Sequence, residues 1–193
     1  MAILAIGISS NAQSFSEMFR PSDKKFLFSS SYGVSAISKA YTPGFSTSQS
    51  LLYMPINFLA LGVNAGYSQS NLKNVPSDEN GVCRTVSVGP VLQIYPVNID
   101  HHRLFAGVGA SYLHFNNVLY YQYIADGVDK DGNPISVSGE GWEQESNDWC
   151  TFDVCGGYSY RFNKTFELGV KVEYRSSHGY SFTSGLVSLG ISF

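Results

Sequence analysis

The dominant signal along this chain is an alternation with a period of two. From Phe26, the large apolar residues Phe26, Phe28, Tyr32, Val34 and Ala36 alternate with Ser29, Ser31, Gly33 and Ser35. Such alternation is expected where a β-strand turns one face to an apolar surrounding. The pattern returns with Leu59, Leu61, Val63, Ala65 and Tyr67 against Ala60, Gly62, Asn64, Gly66 and Ser68, and with Val86, Val88, Leu92 and Ile94 against Thr85, Ser87, Gly89 and Gln93. Leu104, Ala106, Val108, Ala110 and Tyr112 then stand against Gly107, Gly109 and Ser111. Phe152, Val154, Tyr158, Tyr160 and Phe162 stand against Asp153, Cys155, Gly157, Ser159 and Arg161. Two more stretches follow: Phe166 to Tyr174 against Glu167, Gly169, Lys171, Glu173 and Arg175, and Val187, Leu189, Ile191 and Phe193 against Ser188, Gly190 and Ser192. With a weaker strand from Phe45 to Met54 and no helical interruption, the pattern predicts an all-β chain of about eight strands, an even number as single-chain bacterial barrels require.

Composition decides which side of the barrel faces what. Hydrophobic residues make up 44% and aromatics 15%, while charged residues reach only 14%, against roughly 25% in soluble proteins. A soluble lipocalin-like barrel would bury the apolar face and coat its outside with charged and polar residues. Here the opposite face is mostly Gly and Ser, a poor solvated surface but a good filling for a narrow lumen. The chain therefore reads as an eight-stranded antiparallel transmembrane β-barrel with outer-membrane lipid as its surrounding, and the soluble ligand-binding barrel as the alternative. A closed barrel satisfies every strand internally where lipid offers no hydrogen bonds. A net charge of -3 without a basic run excludes nucleic acid as an expected partner.

Connections set the orientation. Pro55 to Asn57, Pro96 to His102 and Phe162 to Lys164 are short, whereas Asn71 to Gly81 and Gln122 to Asp148 are long; short turns are periplasmic and long loops external in barrels of this kind. Aromatics near strand ends, namely Phe26, Tyr53, Tyr67, Tyr95, Tyr112, Tyr174 and Phe193, are expected in the interfacial girdles. At the N-terminus, the apolar run Ile3 to Ile8 and the small residues Ser10 and Ala12 before Gln13 read as an export signal over 1–12. A periplasmic segment over 13–25 and the barrel over 26–193 follow, and no Cys near the cleavage point suggests a lipid anchor.

The alternation, the export signal and the final strand ending in Val187, Leu189, Ile191 and Phe193 resemble the small Gram-negative outer-membrane barrels of the OmpX and OmpA-barrel type. The resemblance spans about Phe26 to Phe193 and, on the OmpA side, stops at the barrel. It implies that the terminal strand is read by the barrel-assembly machinery. Members serve as adhesins, envelope stabilisers, narrow pores or lipid-modifying enzymes, so the fold leaves the role open.

Candidate chemistry is sparse. If the turn at Asn163 and Lys164 sets the register, Arg161 faces Glu167 and Asp153 faces Arg175, with Lys171 and Glu173 between them on the lumen face. That predicts a salt-bridged structural plug rather than a selectivity ring. His101, His102, His114 and His178 share no metal-ligand spacing. Asp129, Asp131, Asn133 and Glu140 match positions of a calcium loop, but Pro134 stands where Gly is required, so a hairpin turn is expected and no metal, cofactor or catalytic residue is assigned. No Ser, His and acid spacing nominates a hydrolase. Three Cys leave one odd; a Cys83 to Cys150 bridge is open beside free thiols. The acidic stretch Gln122 to Asp148 cannot sit in hydrocarbon, and its Trp142 and Trp149 are the candidate contacts with an extracellular or envelope partner. The expected function is structural or adhesin-like through the outer loops, with a narrow pore and a lipid-modifying enzyme as alternatives.

Overall fold

The computed structural model describes residues 18–38, 41–72, 80–128, 130 and 133–193. The proposed export signal and residues 13–17 lie outside the described residues. Eight strands run in order: β1 (Phe26–Ile37), β2 (Gly44–Ile56), β3 (Leu59–Asn71), β4 (Asn80–Ile99), β5 (His102–Val128), β6 (Pro134–Arg161), β7 (Phe166–Ser177) and β8 (Tyr180–Ser192). Each pairs antiparallel with the next, and β1 pairs with β8, closing the barrel. Closure is completed where the amide of Phe26 donates to the Phe193 carbonyl and that of Phe193 donates to Phe26, both at 2.9 Å.

The parity of the sequence sets the facing. Leu51, Val63, Val88, Val108, Val170 and Val187 are among the large apolar side chains exposed on the outside, while Ser31, Ser48, Ser87, Ser111 and Ser184 are buried inside. An apolar belt on the outer wall of a closed sheet belongs in hydrocarbon, so the barrel spans a membrane. The lipocalin-like alternative fails here, since its apolar face would line the interior. Aromatic girdles border the belt: Phe26 packs against Tyr53 and Phe193 at the short-turn end, with ring centroids 5.5 and 5.7 Å apart. Tyr32, Tyr112 and Tyr174 are exposed toward the other end.

Three expectations need correction. Tyr95 is not in a girdle: it is two residues beyond Gln93, shares its inward parity, and is 2% exposed in the lumen. The turn between β4 and β5 is tighter than Pro96 to His102, because a bulge between Ile94 and Val97 lets pairing continue to Ile99 opposite His102. The connection Gln122 to Asp148 is narrower than those bounds, because the strands that approach it through Val118, Tyr120 and Tyr121 and return through Ile135 and Val137 run on in unbroken register from His114 opposite Asp148 up to Val128 opposite Pro134. Cys83, Cys150 and Cys155 are free thiols. Cys83 points into the lumen, Cys150 points outward, and β5 separates their strands, which leaves no bridging geometry.

Candidate functional site

The lumen is filled in layers. Near the short-turn end, Leu27, Leu52, Met54, Ala60 and Tyr95 form an apolar cluster against which Val91 and Phe105 pack. At the outer end, Ile37, Tyr41, Cys83, Leu113, Phe115 and Phe182 form a second cluster, with Leu72, Trp149 and Tyr180 leaning on it. Charged residues lie between and beside these clusters.

The turn after β6 fixes where the charges meet. The Asn163 side-chain oxygen accepts from the amides of Thr165 (2.7 Å) and Phe166 (2.8 Å), an Asx-type turn that sets the β6–β7 register. Asp153 is thereby opposite Arg175, and Arg161 opposite Glu167. Glu173 is the hub: Lys171 Nζ lies 2.6 Å and an Arg175 guanidinium nitrogen 2.9 Å from its oxygens. The Ser48 hydroxyl of β2 donates to it across the lumen at 2.8 Å. Arg175 also lies 3.8 Å from Asp153, whose carboxylate accepts from the hydroxyls of Ser111 and Thr151. Paired and hydrogen-bonded, these buried charges escape most of the desolvation cost that an isolated ion would carry.

Arg161 departs from the expected pairing. Facing Glu167 in register does not bring it a salt bridge, because Glu167 takes Arg103 instead, at 2.8 Å. Arg103 of β5 is 3% exposed, donates to the Asn98 side chain at 3.1 Å and sits 5.8 Å from the Tyr95 ring centre. Its missing signal was parity: Arg103 precedes Leu104 by one residue, so it inherits the inward face. Ser48, Ser111 and Thr151 were readable as inward but not as partners, since nothing local names the residue across a lumen. The gaps beside this network are about 10 and 20 Å³, room for single waters.

Above the rim the geometry changes. On its β7 side β6 is paired only from Phe152 down, and on its β4 side β5 is paired only up to Tyr120. β6 therefore has a free edge from Thr151 upward, and the hairpin from Tyr121 opposite Gly141 to its tip stands alone as a two-stranded ribbon. At about 3.3 Å per residue, the free edge of β6 from Pro134 to Thr151 runs on the order of 50 Å along the strand. On one face Trp142, 65% exposed, is directly opposite Tyr120. On the other, the rings of Tyr121 and Tyr123 lie over Gly141 and Gly139, where a Cβ would stand within 2.8 Å of each ring. Trp149 is placed otherwise than expected. It stacks on Phe115 (5.1 Å) and Tyr180 (5.3 Å) as part of the outer cluster and is no free anchor, because its odd position gives it the lumen-facing side.

Beside the rim, the His114 ring donates from Nδ1 to Asp148 at 2.7 Å on the exposed face. That bond, with the Tyr112 hydroxyl adding a second, holds the Asp148 carboxyl below its usual value. Among the described residues no cluster of His, Cys, Asp and Glu could hold a metal. Asp129 and Asp131 of the calcium-like pattern lie outside the described residues, while Glu140 sits in β6 opposite Gln122.

No protein-family model matches the chain, and no curated protein matches it in sequence. Solved structures share its fold. Neisserial surface protein A aligns at 16% identity with a TM-score of 0.56, over 89% of this chain and 98% of that one. Ail, the attachment invasion locus protein of Yersinia pestis, in complex with the heparin analogue sucrose octasulfate, aligns at 15% identity with a TM-score of 0.53, over 89% and 100% of the two chains. The outer membrane protein OprG of Pseudomonas aeruginosa aligns at 11% and 0.53, over 90% and 98%. The fold is that of the small Gram-negative outer-membrane barrels, and the apolar belt seats this one in a membrane.

Proposed function

We propose that this barrel is an anchor for its outer hairpin, which recognises a partner outside the cell by contact rather than by transport or catalysis. The observation that carries this reading is the free ribbon itself. A two-stranded hairpin of this length is marginal alone, yet here its base is continued into a closed barrel that holds it upright.

The partner's chemistry follows from charge. Among the described residues of the ribbon, Asp126, Glu140, Glu143, Glu145 and Asp148 oppose only Lys130. Exposed Tyr and Trp faces beside carboxylates suit Lys- and Arg-bearing surfaces, through cation–π contact and charge complementarity. Ail is solved with a heparin analogue, a polyanion; the acidic ribbon of this chain would repel such a ligand, so its partner is read as cationic. The filled lumen favours no conducting pore. The terminal Phe193, paired with Phe26 at the seam, is offered as the mark by which assembly machinery reads the last strand.

The test uses the folded barrel in nanodiscs. Binding of a Lys- and Arg-rich protein surface such as histone H1 should be saturable, weaken as salt rises, and be lost with Trp142→Ala combined with Glu140→Gln and Glu143→Gln. Preferential binding of heparin would overturn the charge assignment, and equal binding by a ribbon-deleted barrel would overturn the site.

A further inference from the structure

The short-turn end of the barrel holds a pocket unrelated to the outer ribbon. It has a volume of about 300 Å³ and opens between the N-terminal segment and the turns β2–β3, β4–β5 and β6–β7. Its lining carries Arg20, Lys24, Arg161 and Lys164, with Asp23 and Asp100 as the acidic members. Arg103 reaches it too, but its charge is spent on Glu167. The other four cations make no ion pair among the described residues, so they exceed the two acids by two charges.

Arg161 supplies the sharper observation. Its Nε is buried and has no hydrogen-bond partner, whereas the lumen cations Arg103, Lys171 and Arg175 are each held by two groups. Its backbone is fixed, the amide donating to the His101 carbonyl at 2.7 Å and its own carbonyl bonded to the His101 ring at 2.6 Å. The side chain is thus anchored at the mouth with an unsatisfied donor. A buried unmet donor is costly and is normally matched by a partner. Guanidinium groups match oxyanions in a fork geometry, and a phosphate monoester or inorganic phosphate brings roughly two negative charges and three acceptor oxygens. A carboxylate brings one charge and two oxygens, leaving the excess half met.

We infer that this mouth is a binding site for a phosphate group, with Arg161 and Lys164 as its principal donors and Arg20 and Lys24 closing it from the N-terminal segment. The short turns put it on the periplasmic side, where the group can come from a free phosphate or phosphate ester or from the headgroup of an inner-leaflet phospholipid. The site is distinct from the ribbon, so failure of either reading leaves the other standing.

The experiment titrates inorganic phosphate into the full chain folded in uncharged maltoside micelles, against chloride at equal ionic strength, and reads amide NMR shifts at Asp100 to His102 and Asn163 to Lys164. Saturable shifts with phosphate but not chloride are expected, and Arg161→Gln should weaken binding by about tenfold, one charge-assisted hydrogen bond. Lys164→Gln, in an exposed turn that tolerates change, should weaken it without altering the fold. A parallel set in nanodiscs of phosphatidylglycerol or phosphatidylcholine assigns the source. Arg161-dependent shifts in phosphatidylglycerol discs, without phosphate binding in maltoside, identify a lipid headgroup. Shifts equal with chloride, or unchanged in both variants and insensitive to lipid, would overturn the site.

Discussion

Below Phe152, β6 is hydrogen-bonded to a neighbour on either side; above it, the same strand is bonded to β5 alone. The charges divide along the same line. Inside the barrel Glu173, Lys171 and Arg175 are all under 10% exposed and mutually paired, whereas the acids of the ribbon stand in solvent. A buried charge with fixed partners makes the structure depend on it. An exposed one leaves the structure indifferent and remains available to a ligand. Stability and recognition are thus separated along one strand.

The largest effect is expected at Glu173. Glu173→Ala strands Lys171 and Arg175 as buried unpaired cations and should cost about 3 to 5 kcal/mol, read from urea unfolding of the detergent-folded barrel. Glu143→Ala in the ribbon should stay within about 0.5 kcal/mol. Equal effects at the two positions would erase the distinction between barrel and ribbon.

The two tryptophans sharpen the comparison. Trp149 seals the outer cluster against Phe115 and Tyr180, so Trp149→Ala should cost about 2 kcal/mol, below the full-burial range because it is half-buried. Trp142→Ala should leave unfolding unchanged within about 0.5 kcal/mol and act only on binding. A stability loss at Trp142 as large as that at Trp149 would mean that the ribbon packs on something else.

These pairs also show how far the sequence could be read. Facing followed from parity alone, because one residue of slip would turn every apolar side chain inward. The β6–β7 register followed from Asn163, a local signal. Arg103 and Glu167 did not, because they come from β5 and β7, which are not hydrogen-bonded neighbours, and pairing across a lumen depends on side-chain reach rather than on sequence spacing. In the ribbon, Val118, Tyr120 and Tyr121 on the way out and Ile135 to Val137 on the way back are legible as strand, whereas the acidic residues, Gly139 and Gly141 hide how far the pairing runs, because they lower β-propensity. The cross-strand cover of Tyr121 and Tyr123 over those glycines, which sustains the strand there, has no one-dimensional signature.

Removing the ribbon should change stability less than either core substitution. Val118 to Gln144 can be replaced by an Asn-Gly turn, since Asn117 and Glu145 face each other in register and such a turn suits a two-residue hairpin. Unfolding should move by less than about 1 kcal/mol, because no cluster residue of the barrel lies in the excised stretch. Loss of the folded species in detergent would show that the barrel depends on its ribbon.

The smallest effect sits at the boundary, where Asp148 and His114 share a hydrogen bond on the exposed face. The folded-state carboxyl is held below its unfolded value, first by His114 and then by Tyr112. A depressed carboxyl adds stability that is present above the unfolded value and is lost as pH falls through the folded one. The window is therefore acidic, beneath the ordinary carboxylate range, and the pair's partial exposure to solvent keeps the effect slight. Carboxyl NMR should show Asp148 titrating below the ordinary aspartate value, and His114→Ala should move it up while the barrel's unfolding near neutral pH stays as it was. An Asp148 midpoint unmoved by that substitution would mean that the bond does not form in solution and that the ribbon begins its independence lower, at the rim itself.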